Sequence, residues 1–229
     1  MSSARALELV GDPEIAARIV PLTRLSEKRG HRPTGLAALD GLLGGGWPRG
    51  ALSELCGARS SGRTAIIRAA LVAALAAGEA TALIDAGGRL DARAIPSGRT
   101  SAAPLWIRCT ADQTLKAADL VIAAGGFGLV AVDLCDQTGR IPDAAWMRLR
   151  HAARAQGTTV LVSAARARLG SFAAAAIELT GTAAFLSDGP PLFSGLDVQA
   201  RCRRVGHEAD PPPDQSRPPC VSLAFTCRS

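Results

Sequence analysis

The chain has 229 residues, 48% of them apolar, 20% charged and 3% aromatic, with 24 Gly, 14 Pro and no Tyr. This balance excludes polar low-complexity disorder and coiled coil, and suits one compact domain with a short appendage. The formal net charge of +6 rests almost wholly on arginine, Lys28 and Lys116 being the lysines, and it permits contact with a polyanion without requiring one.

Residues 1–33 read as a helical lead-in and linker, in which Asp12 caps, Pro13 opens the first turn, Ile15 and Ile19 share a face, and the polar stretch 26–33 follows. The start lacks the basic residues and apolar core of a secretion signal. The longest apolar stretches, 65–77 and 120–132, are interrupted by Arg68 or by Gly125, Gly126 and Gly128 and are too short for a bilayer. A cytoplasmic protein without membrane contact is expected.

Residues 34–229 form the second expected domain. A strand at 51–56, a glycine-containing turn, a helix at about 63–77 and a strand at 80–85 make a β-α-β unit. Such a unit calls for a parallel sheet and a right-handed crossover. On the helix, Ile66, Ile67, Ala70, Leu71, Ala74 and Leu75 lie on one side. The alternation continues with a strand at 105–109, a helix opened by a capping box at Thr110–Gln113 and running to about Ala124, and a strand at 129–134. A helix at 142–156, stopped by Gly157, and a strand at 158–163 complete it. The expected fold is therefore α/β, a three-layer α-β-α core with a mostly parallel sheet. Beyond Ala165 the pattern predicts a short Ala-rich helix at 172–179 and antiparallel strands near 182–186, 196–205 and 221–225, the last two flanking a Pro-rich loop at 210–219.

The six cysteines (Cys56, Cys109, Cys135, Cys202, Cys220 and Cys227) form no Cys-x-x-Cys pair and have no nearby His doublet. They read as buried thiols rather than a zinc site, and no structural cofactor is expected. His31, His151 and His207 lack partners at catalytic or ligating spacing and read as surface residues.

The chemistry concentrates between the first long strand and its helix. Gly57-Ala-Arg-Ser-Ser-Gly62-Arg63-Thr64 fits G-x-x-x-x-G-K-[ST] except at the lysine, and stands in the strand-turn-helix setting that pattern requires. Glycines let backbone N–H groups curl around a phosphate, and the helix start adds its positive end. Gly57, Ser60, Ser61, Gly62, Arg63 and Thr64 are the candidate nucleotide-binding residues, with Thr64 as a Mg2+ ligand. Asp133, closing the apolar run Leu129-Val-Ala-Val-Asp133, joins them as a residue that orients Mg2+ at a strand's C-terminal end. Arg63 keeps the lysine's charge in a bulkier planar form, which favours binding over turnover. The alternative for the loop is a plain strand-to-helix turn.

Three arginine groups follow: Arg148, Arg150 and Arg154 on one helix, Arg166 and Arg168 past a strand end, and Arg201, Arg203 and Arg204 near the C-terminus. Each is either a solvated face or a phosphate-contacting one. Trp47 is either an anchor for a partner or a cover over the core edge.

Thr34-Gly-Leu-Ala-Ala-Leu-Asp40, Gly45-Gly-Trp-Pro-Arg-Gly50, Ser53-Glu-Leu-Cys-Gly57, the loop through Thr64, Ala82-Leu-Ile-Asp-Ala86 and Leu129–Asp133 together resemble a RecA-fold ATPase core from about residue 34 to 205. Within that superfamily, the run Gly44 to Leu52, the altered loop and the short length are most similar to ImuA, the RecA-like accessory family of bacterial SOS mutagenesis.

The resemblance implies a damage-tolerance role in translesion DNA synthesis, with the RecA recombinase, an ImuB-type polymerase-like protein and an error-prone C-family polymerase as partners. It also leaves room for ATP and Mg2+, for weak DNA contact and for a homo-oligomer. Active recombinases of this fold carry Asp-Ala-Glu where this chain reads Asp85-Ala86-Gly87, and an Asn-Gln pair where it reads Ala164-Ala165. The segments at the two DNA-binding loops are also short. The resemblance therefore implies weak or absent ATP hydrolysis, and a binding module that modulates recombination. Arg203 and Arg204 fall near the family's basic residues that reach a neighbouring subunit's nucleotide. The alternative is a DNA-stimulated ATPase in which Arg63 replaces the lysine and Asp85 or Asp91 the glutamate. A third reading is a DNA-binding protein that uses its arginines.

Overall fold

Two stacked hydrophobic clusters, one on each face of a single sheet, organise the molecule. The computed structural model describes residues 30–88, 90, 95, 103–134, 137, 139–186, 193–204 and 219–226. The helical lead-in expected before residue 30, together with Asp91, Cys135, Cys227, His207 and the Pro-rich loop up to residue 218, lies outside the described residues.

The strands are β1 (His31–Arg32), β2 (Trp47–Pro48), β3 (Leu52–Gly57), β4 (Thr81–Asp85), β5 (Leu105–Arg108), β6 (Leu129–Asp133), β7 (Thr159–Ala164), β8 (Ala173–Leu186), β9 (Phe193–Arg204) and β10 (Cys220–Thr226). The helices are α1 (Ala37–Leu42), α2 (Arg63–Ala76), α3 (Thr114–Ala124) and α4 (Asp143–Gln156). Among the described residues β1 and β2 form a small antiparallel pair, and the others an eight-stranded sheet in the order β10-β9-β8-β3-β7-β6-β4-β5. Pairing is parallel from β8 through β5 and antiparallel between β8 and β9 and between β9 and β10. The expected α/β architecture with an antiparallel C-terminal extension is the one observed.

Alternation along the strands sorts side chains between the clusters. In β6, Leu129 and Ala131 join α1 and α2 in one cluster, whereas Val130 and Val132 join α3 and α4 in the other. The central strands β6 and β7 are near-continuous apolar runs, as parallel strands between two helical layers tend to be, whereas β3 also buries Ser53 and Glu54.

Three expectations need correction. Residues 172–179 are not a helix: Gly170–Phe172 is a single 3-10 turn, and Ala173 onward is β8, parallel to β3. The expected strand at 182–186 is the second half of that same strand. Alanine favours helix by only a few tenths of a kcal/mol per residue, and an isolated helix of about two turns is marginal. The open edge of β3 offers a full ladder of backbone partners, and Ala175, Ile177 and Leu179 reach the core from it.

The capping box at Thr110–Gln113 closes a turn, with Thr110 N–H donating to Gln113 Oε1 at 3.4 Å, and the helix proper starts at Thr114. The stretch read as a linker ends inside the fold: Arg32 pairs with Trp47 in the β1–β2 ladder and is buried. Its guanidinium pairs with Glu79 and donates to Gly128 O at 2.7 Å, while Arg49 holds Glu79 from a second direction at 2.8 Å. Trp47 is fully buried in the core, which resolves its two readings.

Candidate functional site

Three strand ends meet where the sequence concentrates its chemistry. Asp85 of β4 is the register neighbour of Asp133 of β6, which neighbours Ser163 of β7, and Leu55 of β3 continues the row. Parallel pairing of strands of similar length thus sets two carboxylates and a hydroxyl side by side, one strand spacing apart. From β3 the chain passes Gly57, turns through 58–62 and enters α2 at Arg63.

Gly57 and Gly62 are required by the packing of that turn. A Cβ at Gly57 would lie 2.6 Å from Leu179 O, and one at Gly62 would lie 2.7 Å from Val198 Cγ2. Gly62 is also left-handed, at φ 88°, and precedes the first helical residue. Ser60 holds φ 58°, a conformation that a non-glycine residue adopts at a cost of about 1 kcal/mol and that gathers at ligand-holding loops. The Ser61 hydroxyl is buried and has no hydrogen-bond partner among the described residues. Thr64 is exposed one residue into α2.

Beside the loop lies a cavity of about 640 Å3, lined by Gly57, Ser60 and Ser61 on the loop and by Arg59, Arg166 and Arg203, among others. Glu178, also on its wall, approaches Arg203 Nη1 at 3.7 Å and offsets part of the positive charge. Arg204 instead points Nη1 at Ala173 O, at 3.5 Å. Only the first of the two candidate interface arginines therefore lines the cavity beside the loop of its own chain.

Arg63 does not reach into that cavity. It is 7% exposed; Nη1 donates to Ser163 Oγ at 3.1 Å and lies 3.9 Å from Asp133 Oδ1, Asp133 itself being 6% exposed. Arg63 and Asp133 are thus brought together, with Ser163 as a partner that the sequence reading missed. A hydroxyl inside an apolar strand, one register step from an acid, is the signal that would have found it.

The turn after β4 uses its acid locally, Gly87 N–H donating to Asp85 Oδ1 at 3.2 Å. Gly87 is exposed and brings no side chain to this strand end, and Ala165, half-buried on the cavity wall, brings only a methyl.

Glu54 of β3 is a second residue missed. Buried at 2% exposure, it accepts hydrogen bonds from the backbone N–H of Arg168 and, at 3.0 Å, of Leu169, pinning the segment that follows β7. Burial raises its carboxyl above the ordinary range against the pull of those two donors and of Arg203 and Arg168. The neighbouring Cys56 thiol is pushed up to about 11, by burial first and then by Glu54 and Glu178. Cys202 is also buried and Cys220 is exposed.

The remaining arginines sort by partner: Arg148 pairs with Asp119 at 2.9 Å, Arg150 lies over the Phe172 ring at 5.4 Å, and Arg168 donates to Gly139 O at 3.0 Å. His31 and His151 are exposed.

The loop's left-handed residues, the helix start and the unpartnered Ser61 hydroxyl fit an anion. The residues do not fit the Mg2+ that the resemblance implies, because a guanidinium already faces Asp133 and a dication beside it would meet like charge.

A glycine-bearing loop from strand into helix, at the C-terminal ends of a parallel sheet and with an Asp two strands away, has the layout of the phosphate-loop class of α/β proteins. Residues 18–145, more than half of the chain, match the family described as the RecA N-terminal domain, and the chain belongs to that family. It is 38% identical over 104 residues to Protein RecA of Mycobacterium marinum, covering 44% of this chain and 30% of that one. Over 104 residues it is 36% identical to Protein RecA of Treponema pallidum (44% and 26%), and over 105 residues 39% identical to that of Nocardia farcinica (44% and 30%). The chain thus matches less than a third of the length of these relatives.

Proposed function

We propose that this protein is a catalytically degenerate RecA-like accessory of SOS-induced mutagenesis, of the ImuA kind. It acts in the cytoplasm by contact with the RecA recombinase, with an ImuB-type and error-prone C-family polymerase complex, or with both. The observation that carries this reading is Arg63 turned onto Asp133 and Ser163, in a site with Gly87 and Ala165 where a water-activating glutamate and a phosphate-sensing glutamine would stand. Without a base to orient water and a group to register the γ-phosphate, positioning catalysis of phosphoryl transfer has lost two of its parts. Membership of the RecA N-terminal domain family supports a place in DNA repair and recombination. The lead-in at 1–33 and the exposed arginines of β9 (Arg201, Arg203 and Arg204) are the contact surfaces this reading favours.

ATP turnover by the purified chain, with and without single-stranded DNA, tests the catalytic half, and retention on immobilised RecA filaments or polymerase complex tests the partner half. The expected result is no DNA-stimulated turnover together with retention by a partner; absence of association with either partner defeats the reading. The preserved loop geometry and the adjoining cavity favour a second reading, a DNA-stimulated ATPase with a non-standard loop. Turnover that Arg63→Ala abolishes would establish that one instead.

A further inference from the structure

We infer that Arg63 is a built-in cation for Asp133 that takes over the place of a divalent metal, so that the loop binds its anion without Mg2+. This rests on reading 57–64 as a phosphate loop.

The geometry has three parts. Register places Asp133 directly beside Ser163, and Arg63, at the first position of α2, spans both with one nitrogen, Nη1. Both charged residues are more than nine-tenths buried, so water does little to screen the attraction between them. The other acid of the row, Asp85, accepts from the Gly87 N–H of its own turn.

A Mg2+ ion needs near-octahedral oxygen ligands at about 2.1 Å and keeps several waters. Asp133 Oδ1 already faces a guanidinium nitrogen at 3.9 Å, and Thr64, the other expected ligand, is exposed. Lysine, a compact point charge on a flexible stem, could swing to an incoming phosphate and leave the acid to a metal. Arginine is bulkier and less mobile, and here it is held by a hydrogen bond to Ser163 and an ion pair with Asp133. The substitution that makes the loop depart from its pattern thus also removes the need for the ion that the pattern serves.

The test uses the full-length chain. In urea unfolding without nucleotide, Arg63→Met, Asp133→Asn and the double variant form a cycle. Coupling is expected, the double variant losing no more stability than the worse single one, whereas additive losses overturn the inference. Isothermal titration with ATP is then run in Mg2+ and in EDTA. The wild-type Kd should agree within about twofold between the two buffers, and Arg63→Lys should gain a Mg2+ preference. Tightening of the wild type by Mg2+ of about tenfold or more overturns the inference. A coupled cycle with no ATP binding in either buffer supports the built-in cation and defeats the phosphate-loop reading instead.

Discussion

The two sides of the sheet solve burial differently. From β3 to β4 the strands are buried along almost their whole length, whereas β8 is buried only through Leu179 and exposed from Thr180 to Leu186, and β9 and β10 alternate. The parallel half lies between two helical layers and carries the row of Asp85, Asp133 and Ser163. The antiparallel half is a ribbon with one wet face, and it contributes walls: Val198 and Phe225 crowd Gly62, and Arg203 lines the cavity. The lesson is a division of labour in which charge is neutralised internally on one side and presented outward on the other.

Truncation should show the largest contrast. Leu161→Ala, in the middle of β7 and fully buried, is expected to cost about 3 kcal/mol in urea unfolding, while Phe185→Ala, on the exposed half of β8, should cost under about 1 kcal/mol. Equal losses would mean that the distal ribbon is covered in solution.

Next comes Arg32, the buried charge that ties β1 to the parallel half. Arg32→Ala should cost about 2 kcal/mol by the same measurement, since it empties a buried site and removes a bridge between elements, leaving Glu79 to Arg49 and the Gly128 carbonyl to the Thr159 N–H.

A smaller effect separates two glutamates by the sign of their pH dependence. Glu54 has a raised folded value, so its contribution to stability is full below the ordinary Glu range and is lost as pH rises through the folded value. Glu79 behaves oppositely: burial pushes it up, but the hydrogen bonds and charges of Arg49 and Arg32 prevail and hold it low. Its contribution is present above the ordinary range and is lost as pH falls through the lowered value. Comparing wild type with Glu54→Gln and with Glu79→Gln across mildly acidic to neutral pH should therefore give difference curves of opposite slope. Curves of the same sign would break the assignment.

The mildest test is chemical. Cys220 should react with iodoacetamide in the folded protein, while Cys56, buried and held as a thiol, and Cys202 should react only on unfolding, as mass mapping would show.

Much of the parallel half was legible because its signals are local: apolar runs of strand length, a helix with one apolar side, and a loop whose glycines have a mechanical reason. The sequence also shows Gly87 and Ala165 after two strand ends, where the resemblance to active recombinases implies a glutamate and a glutamine. What escaped depended on neighbours distant in the chain. The Ala173–Leu179 segment carries a helix former's composition, and the open edge of β3 made it a strand, because ladder hydrogen bonds and burial outweigh propensities of tenths of a kcal/mol. Glu54 became a clamp only when the segment after β7 came within reach of its carboxylate. The direction of Arg63 was decided the same way: the sequence established a cation at the loop, and the register that sets Asp133 beside Ser163 turned it inward, where the Ser163 hydroxyl accepts its hydrogen bond and the buried Asp133 carboxylate balances its charge.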